Sequence, residues 1–337
     1  MKVIIQIPCL NEEETLPATL ADLPRELPGV DEIETLVVDD GSTDATVEVA
    51  RECGVDHIVS LPSNRGLANG FQAGLDACLK LGADVIVNTD ADNQYRGEDV
   101  ALLVAPIVDG QAEMVVGDRV VAGIAHFSPA KKALQAFGSW VVRRLSGTGV
   151  TDATSGFRAY SREAALQLVV VDNFTYTLES LIQAGKTRIA VDEVPVRTNP
   201  KTRESRLFDS TGGYVRRNGL AILRIYTRYE PLKVFSILAA IAFVAAIAAW
   251  MPFLTDWILN GDRDGHIQSL LLGAVLFIAS VQLFALGIIG DLLAGQRVMT
   301  QRVFERVRRV ELEIGVEPTH RTGKDRRTEP ERTETPV

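Results

Sequence analysis

Short apolar runs of strand length recur along the first part of the chain, at Val3 to Ile7, Ile33 to Val38, Val85 to Val87 and Met114 to Val116. Stretches with helical spacing lie between them, at Glu12 to Asp22, Asp44 to Glu52 and Leu67 to Leu81. This alternation predicts an α/β domain with a mostly parallel sheet and helices on both faces. The strand runs are near-continuously apolar instead of alternating, as expected of a sheet buried on both sides. After about Gly149 the pattern loosens, with a strand through Gly156 to Tyr160, a helix around Thr177 to Gly185 and a strand from Arg188 to Val194. From Tyr214 to Tyr229 apolar and arginine residues interleave at helical spacing, which predicts a helix in a membrane interface or, alternatively, one packed on the domain. Two uncharged stretches follow, Val234 to Leu254 and Ile267 to Gly290, each about the length that carries a helix across a bilayer, roughly 20 residues at about 1.5 Å each.

The expected organisation is therefore a catalytic domain over 1–210, an amphipathic segment over 211–232, a first span over 233–254, a short external loop over 255–266 and a second span over 267–291. A basic helix over 292–313 and a disordered tail over 314–337, rich in Thr, Glu, Arg and Pro, complete it. Arg216, Arg217, Arg224, Arg228 and Lys233 precede the spans, Arg297, Arg302, Arg306, Arg308 and Arg309 follow them, and the link between carries Asp256, Asp262, Arg263 and Asp264. By the positive-inside rule both long ends are expected to be cytoplasmic. The short apolar run before Pro8 is too brief for a signal peptide.

The formal net charge of −9 over 337 residues leaves the first domain acidic and the membrane-proximal segment basic, which disfavours bulk nucleic-acid binding and suits contact with anionic lipids. The three cysteines, Cys9, Cys53 and Cys78, lack a metal spacing and read as reduced core residues. The four histidines, His57, His126, His266 and His320, are scattered without ligand spacing. Gly66, Gly70 and Gly74 do not form a dinucleotide fingerprint and are expected in close helix packing.

Polar clusters follow the strand runs: Pro8 to Glu14, Asp39 to Asp44, Asp90 to Gln94 and Asp118 to Arg119. In an open parallel sheet such clusters converge at the carboxyl ends of the strands. In extended backbone residues two apart point the same way, so Asp90 and Asp92 can present oxygens to one hard ion such as Mg²⁺ or Mn²⁺; an Asp-rich turn capping the next helix is the simpler alternative.

The run Ile5 to Glu12, the Asp39-Asp40-Gly41-Ser42-Thr43-Asp44 segment and Asp90-Ala91-Asp92 together resemble the family 2 glycosyltransferases, which have the GT-A fold, and the order and spacing of all three make the resemblance specific. Val116 to Arg119, Asp152 to Arg158 and Arg203 to Leu207, followed by two spans, are similar to the branch that glycosylates polyprenyl phosphates. The resemblance implies that Pro8, Asn11 and Glu12 line the nucleotide pocket, that Asp39 or Asp40 holds the base, and that Asp90, Asp92 and Gln94 surround the metal. It implies further that Arg119 and the Lys131-Lys132 pair grip the acceptor phosphate, that Arg203 reaches the donor diphosphate unless it is a membrane-surface charge, and that Asp152 lies near the reaction centre. The implied reaction is inverting transfer of one sugar from a UDP- or GDP-sugar to dolichyl or undecaprenyl phosphate on the cytoplasmic face, with the hairpin offering surfaces for homo-oligomers. Another lipid or glycan acceptor, or a catalytically silent scaffold, are the competing readings.

Overall fold

The computed structural model describes residues 1–119, 139–170, 176–200, 223–224, 226–260 and 266–319. By its contacts the chain divides into two units, Met1–Gly213 with Gln301–Val337, and Tyr214–Thr300.

The first unit is built on a seven-stranded sheet of β1 (Lys2–Cys9), β2 (Glu32–Asp39), β3 (His57–Ser60), β4 (Val85–Asn88), β5 (Met114–Asp118), β6 (Arg158–Ser161) and β7 (Val191–Pro195), in the order β3-β2-β1-β4-β6-β5-β7. All pairings are parallel except those of β6, which runs against both β4 and β5. Six strands thus end at one edge of the sheet, and β6 begins there. On one face Val3, Ile5, Val85, Val87, Val115, Phe157 and Ala159 form a core with Leu103, Val104 and Ile107 of α4 (Val100–Val108). The same face continues through Ile7, Cys9 and Val37 to α1 (Leu16–Asp22) and α2 (Thr46–Glu52). On the other face lie α3 (Leu67–Lys80), α5 (Arg162–Gln167) and α6 (Tyr176–Thr187). A Cβ on Gly74 of α3 would lie 2.4 Å from Gln6 Oε1, so the glycine is what lets this helix approach β1, the close packing expected of that repeat.

Several boundaries differ from the sequence expectation for local reasons. The first helix starts at Leu16 instead of Glu12, with Pro17 in its opening turn, where a missing N–H is harmless, and residues 11–13 are held by the neighbouring loop. The last strand starts at Val191 instead of Arg188, because Arg188 has a left-handed φ of 62° after the end of α6. Strand β3 and helix α4, with Pro106 inside an apolar run, were not marked by the periodicity. Most of the expected 214–229 helix and the tail beyond 319 lie outside the described residues.

The second unit contains α7 (Pro231–Asn260) and most of α8 (Ile267–Glu313), both long and apolar enough to cross a membrane. Protein buries only 11% and 17% of their most apolar windows, which separates them from core helices of a soluble domain. They pack along Gly273, Ser280 and Gly287, small buried residues seven apart: Gly273 faces Trp250, Gly287 faces Phe235, and the Ser280 hydroxyl donates to the Ala239 carbonyl at 2.9 Å. Gln282 is exposed on α8.

Residues 301–313 of α8 belong to the first unit and dock on α5 and α3. Arg308 Nη1 donates to the carbonyls of Leu168 at 2.7 Å and Leu166 at 3.3 Å, closing the carboxyl end of α5, while Arg309 pairs with Glu163, and Lys80 bridges Asp76 and Glu311. Arg308→Ala is expected to lower the stability of the first unit by about 1–2 kcal/mol, since it uncovers helix-end carbonyls and removes a cation from the negative end of α5. Thermal unfolding of the full chain in detergent measures it, and an unchanged midpoint would show the contact to be idle.

Candidate active site

The loop after β1 and the loop after β2 are knitted together. Asn11, at a left-handed φ of 57°, accepts from the Thr43 N–H at 2.8 Å and donates its own N–H to the Ser42 hydroxyl at 2.9 Å. Glu12 N–H donates to Thr46 Oγ1 at 2.8 Å, and the Glu13 carboxylate accepts from the Ala45 N–H at 2.8 Å. Pro8 pairs in register with Val38 on β2. The candidate base-holding residues behave differently: Asp39 receives the Ser42 N–H at 2.9 Å, whereas both oxygens of Asp40 are taken by the N–H groups of Arg65 and Gly66 at 2.7 and 2.8 Å. Asp40 thus shapes the start of α3.

Asp90 and Asp92 leave the end of β4 in a turn that also contains Asn93, at φ 54°, and Gln94, whose N–H donates to Asp92 Oδ1 at 3.2 Å. Burial, then the neighbouring Asp92, pushes the Asp90 carboxyl up to about 7, with Arg119 opposing. The turn rests on a buried polar floor. Gln6 Nε2 donates to Asn88 Oδ1 at 2.8 Å, and Asn88 Nδ2 donates to the Gly156 carbonyl at 2.8 Å and meets the Tyr176 hydroxyl at 3.1 Å. Gly156 N–H donates to the Tyr95 hydroxyl at 3.2 Å, and Tyr95 stacks on Phe157 with centroids 4.8 Å apart. A Cβ on Gly156 would lie 2.8 Å from the Tyr176 hydroxyl and 3.0 Å from Asp90 Oδ1, so only glycine fits beneath the acidic turn.

Beside it, Arg119, directly after β5, forms a two-point pair with Asp152: Nε to Oδ2 at 2.7 Å and Nη2 to Oδ1 at 3.0 Å, with Nη2 also donating to Thr154 Oγ1 at 2.8 Å. Burial alone would depress the guanidinium, but Tyr95, Asp152 and Asp90 raise it above its ordinary value. Burial likewise works against an ionised Asp152, yet hydrogen bonds and charge from Arg119 hold its carboxyl below the usual range. Asp152 is an ionised partner of Arg119. Arg158, fully buried, ties the same loop to α6 by donating to the carbonyls of Ser155, Ala153 and Thr177 at 2.7–2.8 Å and to Ser180 Oγ at 2.9 Å.

Asp90 and Asp92 supply an oxygen-only donor pair, and the buried Asn93 Oδ1 beside them has no hydrogen-bond donor. No group of three or more acidic, His or Cys side chains that could enclose an ion occurs among the described residues. Such a set fits a hard dication that takes its remaining ligands from water and substrate phosphates.

The structure brings Asp90, Asp92, Gln94, Arg119 and Asp152 to one sheet edge with the loops of Pro8, Asn11, Glu12, Asp39 and Asp40. Lys131, Lys132 and Arg203 lie outside the described residues. Gln6, Asn88, Tyr95, Tyr176 and Arg158 were not foreseen as the floor, although a Gln and an Asn inside apolar strand runs were a signal that a polar partner waited there.

The description "Glycosyl transferase family 2" matches residues 4–169. The polyprenol monophosphomannose synthase of Mycolicibacterium smegmatis is 31% identical over 206 residues, covering 58% of this chain and 76% of that protein. The dolichyl-phosphate hexose transferase of Haloferax volcanii is 32% identical over 203 residues, covering 60% and 85%. Among solved structures, glucosyl-3-phosphoglycerate synthase from Mycobacterium tuberculosis, in complex with Mn²⁺, UDP and glucosyl-3-phosphoglycerate, is 24% identical with a TM-score of 0.51, covering 66% of this chain and 78% of that one, a likeness of fold.

The raised Asp90 carboxyl makes metal-free stability depend on pH. A folded value of about 7, above the unfolded one, means the contribution is complete below about pH 4 and is lost as pH rises through about 7. Without divalent cation, Asp90→Asn is therefore expected to be more stable than wild type at pH 8, by about 1–2 kcal/mol after allowance for partial exposure, and equally stable near pH 4. Thermal unfolding with chelator at both pH values checks this; a gap independent of pH would contradict it.

Proposed function

This chain belongs to glycosyl transferase family 2, and from that premise we propose that it transfers one sugar from a UDP- or GDP-hexose or N-acetylhexosamine to the phosphate of a polyprenyl phosphate, with inversion, on the cytoplasmic face of a membrane. The observation that carries the reading is the juxtaposition, at one sheet edge, of an under-neutralised acidic pair and a guanidinium held by Asp152. The first suits a cation-bound diphosphate, the second a phosphate monoester. The names of the relatives support the acceptor class, the two apolar helices support a membrane setting, and the arginines flanking them support a cytoplasmic domain.

In this reading the loops of Pro8, Asn11, Glu12 and Asp39 enclose the nucleotide, while Asp40 keeps the turn before α3 in place. Asp90 and Asp92, with Gln94 alongside, would hold Mg²⁺ or Mn²⁺, which when bound offsets the charge of the departing diphosphate. Arg119 aligns the acceptor phosphate, joined by Lys131 and Lys132, and Arg203 meets the donor diphosphate. A phosphate monoester has a second pKa of about 6, so its oxygen is already anionic at neutral pH and no strong general base is required. Asp152 accordingly serves by orienting Arg119.

The test is transfer of labelled sugar from a panel of UDP- and GDP-sugars to polyprenyl phosphate in detergent with Mn²⁺ or Mg²⁺. Wild type is expected to yield an acid-labile glycolipid, and Asp92→Ala to lower the rate at least about a hundredfold. An acid-stable labelled lipid would move the acceptor away from a phosphate. No transfer from any donor, by folded protein that binds nucleotide, would overturn the reading.

A further inference from the structure

Glu193 lies on β7, an edge strand, opposite Val116 of β5. Its carboxylate receives donors only. The Thr151 N–H donates to Oε1 at 2.8 Å and Oε2 at 3.0 Å, the Asp152 N–H donates to Oε1 at 2.9 Å, and the Thr151 hydroxyl is 3.0 Å from both oxygens. These donors sit at the first two residues of the loop that carries Asp152. The next contact along that loop is the Asp152 carboxylate on Nε and Nη2 of Arg119. With Thr154 also on Nη2, the guanidinium is gripped along one side, and Nη1 makes no hydrogen bond among the described residues.

We propose that Glu193 is a positioning residue for sugar transfer: by fixing the Thr151 and Asp152 backbone it sets the Asp152 carboxylate, which in turn aims the Nη1 side of Arg119 at the acceptor phosphate. The inference rests on the reading of Arg119 as the acceptor's partner. Two backbone N–H groups donate to Glu193, both to Oε1 and that of Thr151 to Oε2 as well, while the single proton of the Thr151 hydroxyl is shared among the Glu193 oxygens and Asp118 Oδ2 at 3.2 Å. Glutamine at this position has the same shape and can keep its carbonyl in the Oε1 place, but it loses the charge and sets an NH₂ where Oε2 accepts the Thr151 N–H at 3.0 Å. The backbone would then be free to shift, and a guanidinium that must present one edge loses alignment when its carboxylate rotates. Among the described residues the Glu193 carboxylate is hydrogen-bonded to Thr151 and Asp152 and not to the loops of Asn11, Asp39 or Asp90.

The test compares Glu193→Gln with wild type as full-length protein in detergent, using the donor that supports transfer. Hydrogen exchange at residues 151–152 should quicken by about tenfold, with β1 and β4 unchanged, because charge-assisted bonds to the loop are gone. The KM for polyprenyl phosphate should rise by about tenfold while the KM for nucleotide sugar and the unfolding temperature stay close to wild type. Faster exchange with unchanged acceptor KM would leave Glu193 a purely structural clamp and overturn the proposal. So would a parallel loss of donor affinity, acceptor affinity and thermal stability. Should Glu193→Gln fail to fold, Thr151→Val, which removes one donor and keeps the carboxylate, must still raise the acceptor KM alone; no change there overturns the proposal too. Absence of transfer to polyprenyl phosphate by the wild type would instead overturn the acceptor assignment, and exchange at 151–152 would still report whether Glu193 holds the loop.

Discussion

The burial of the Asp90 carboxyl, with Asp92 beside it, is the constraint around which the first unit is arranged. Burial disfavours the charged form of Asp90, and the like charge of Asp92 adds to the difficulty of ionising both. The surroundings offset that difficulty only in part. Arg119 and Arg158 lower the Asp90 carboxyl, yet it still stands at about 7. A turn left so electron-rich is unfavourable for an empty protein and favourable for one that binds a cation. The buried floor of Gln6, Asn88, Tyr95, Tyr176 and Gly156 keeps the turn from relaxing outward, since each of its polar groups already has a partner in the sheet or in the loop before β6.

The antiparallel insertion of β6 makes this possible. In a wholly parallel sheet the strand beside β4 would begin at the far edge and deliver its preceding loop away from the acidic turn. Reversing β6 delivers residues 152–157 to the edge where Asp90 and Arg119 already sit. One loop then supplies the Asp152 carboxylate to a cation and the Gly156 backbone to an anion-bearing turn.

Much of this was legible in the sequence. Near-continuous apolar runs marked β1, β2, β4 and β5, and the acidic clusters marked the strand ends, because both signals are local. The reversal of β6 was not legible, since Arg158 to Ser161 reads the same in either direction. Strand β3 is short and begins with a histidine paired to Glu34, so no apolar run announced it. The part played by Glu193 depends on β5 and β7 pairing across the intervening chain, and nothing near position 193 distinguishes it from a solvated strand residue. Asp40 looked equivalent to Asp39 until the backbone of Arg65 and Gly66 was found on its two oxygens. Asp39 is the last residue of β2 and Asp40 the first beyond it, and their fates separate accordingly.

The register of β6 has a consequence for how such a chain can change over evolutionary time. Arg158 stands opposite Asn88 on one side and Val116 on the other, with Arg158 and Tyr160 on the face of α3 and Ala159 on the face of α4. One residue inserted between Gly156 and Arg158 would exchange those faces, driving a guanidinium into the aliphatic core and withdrawing Gly156 from beneath the acidic turn. Length can drift in connections that end far from this edge, whereas these few positions behave as a fixed ruler, closed to insertion and deletion.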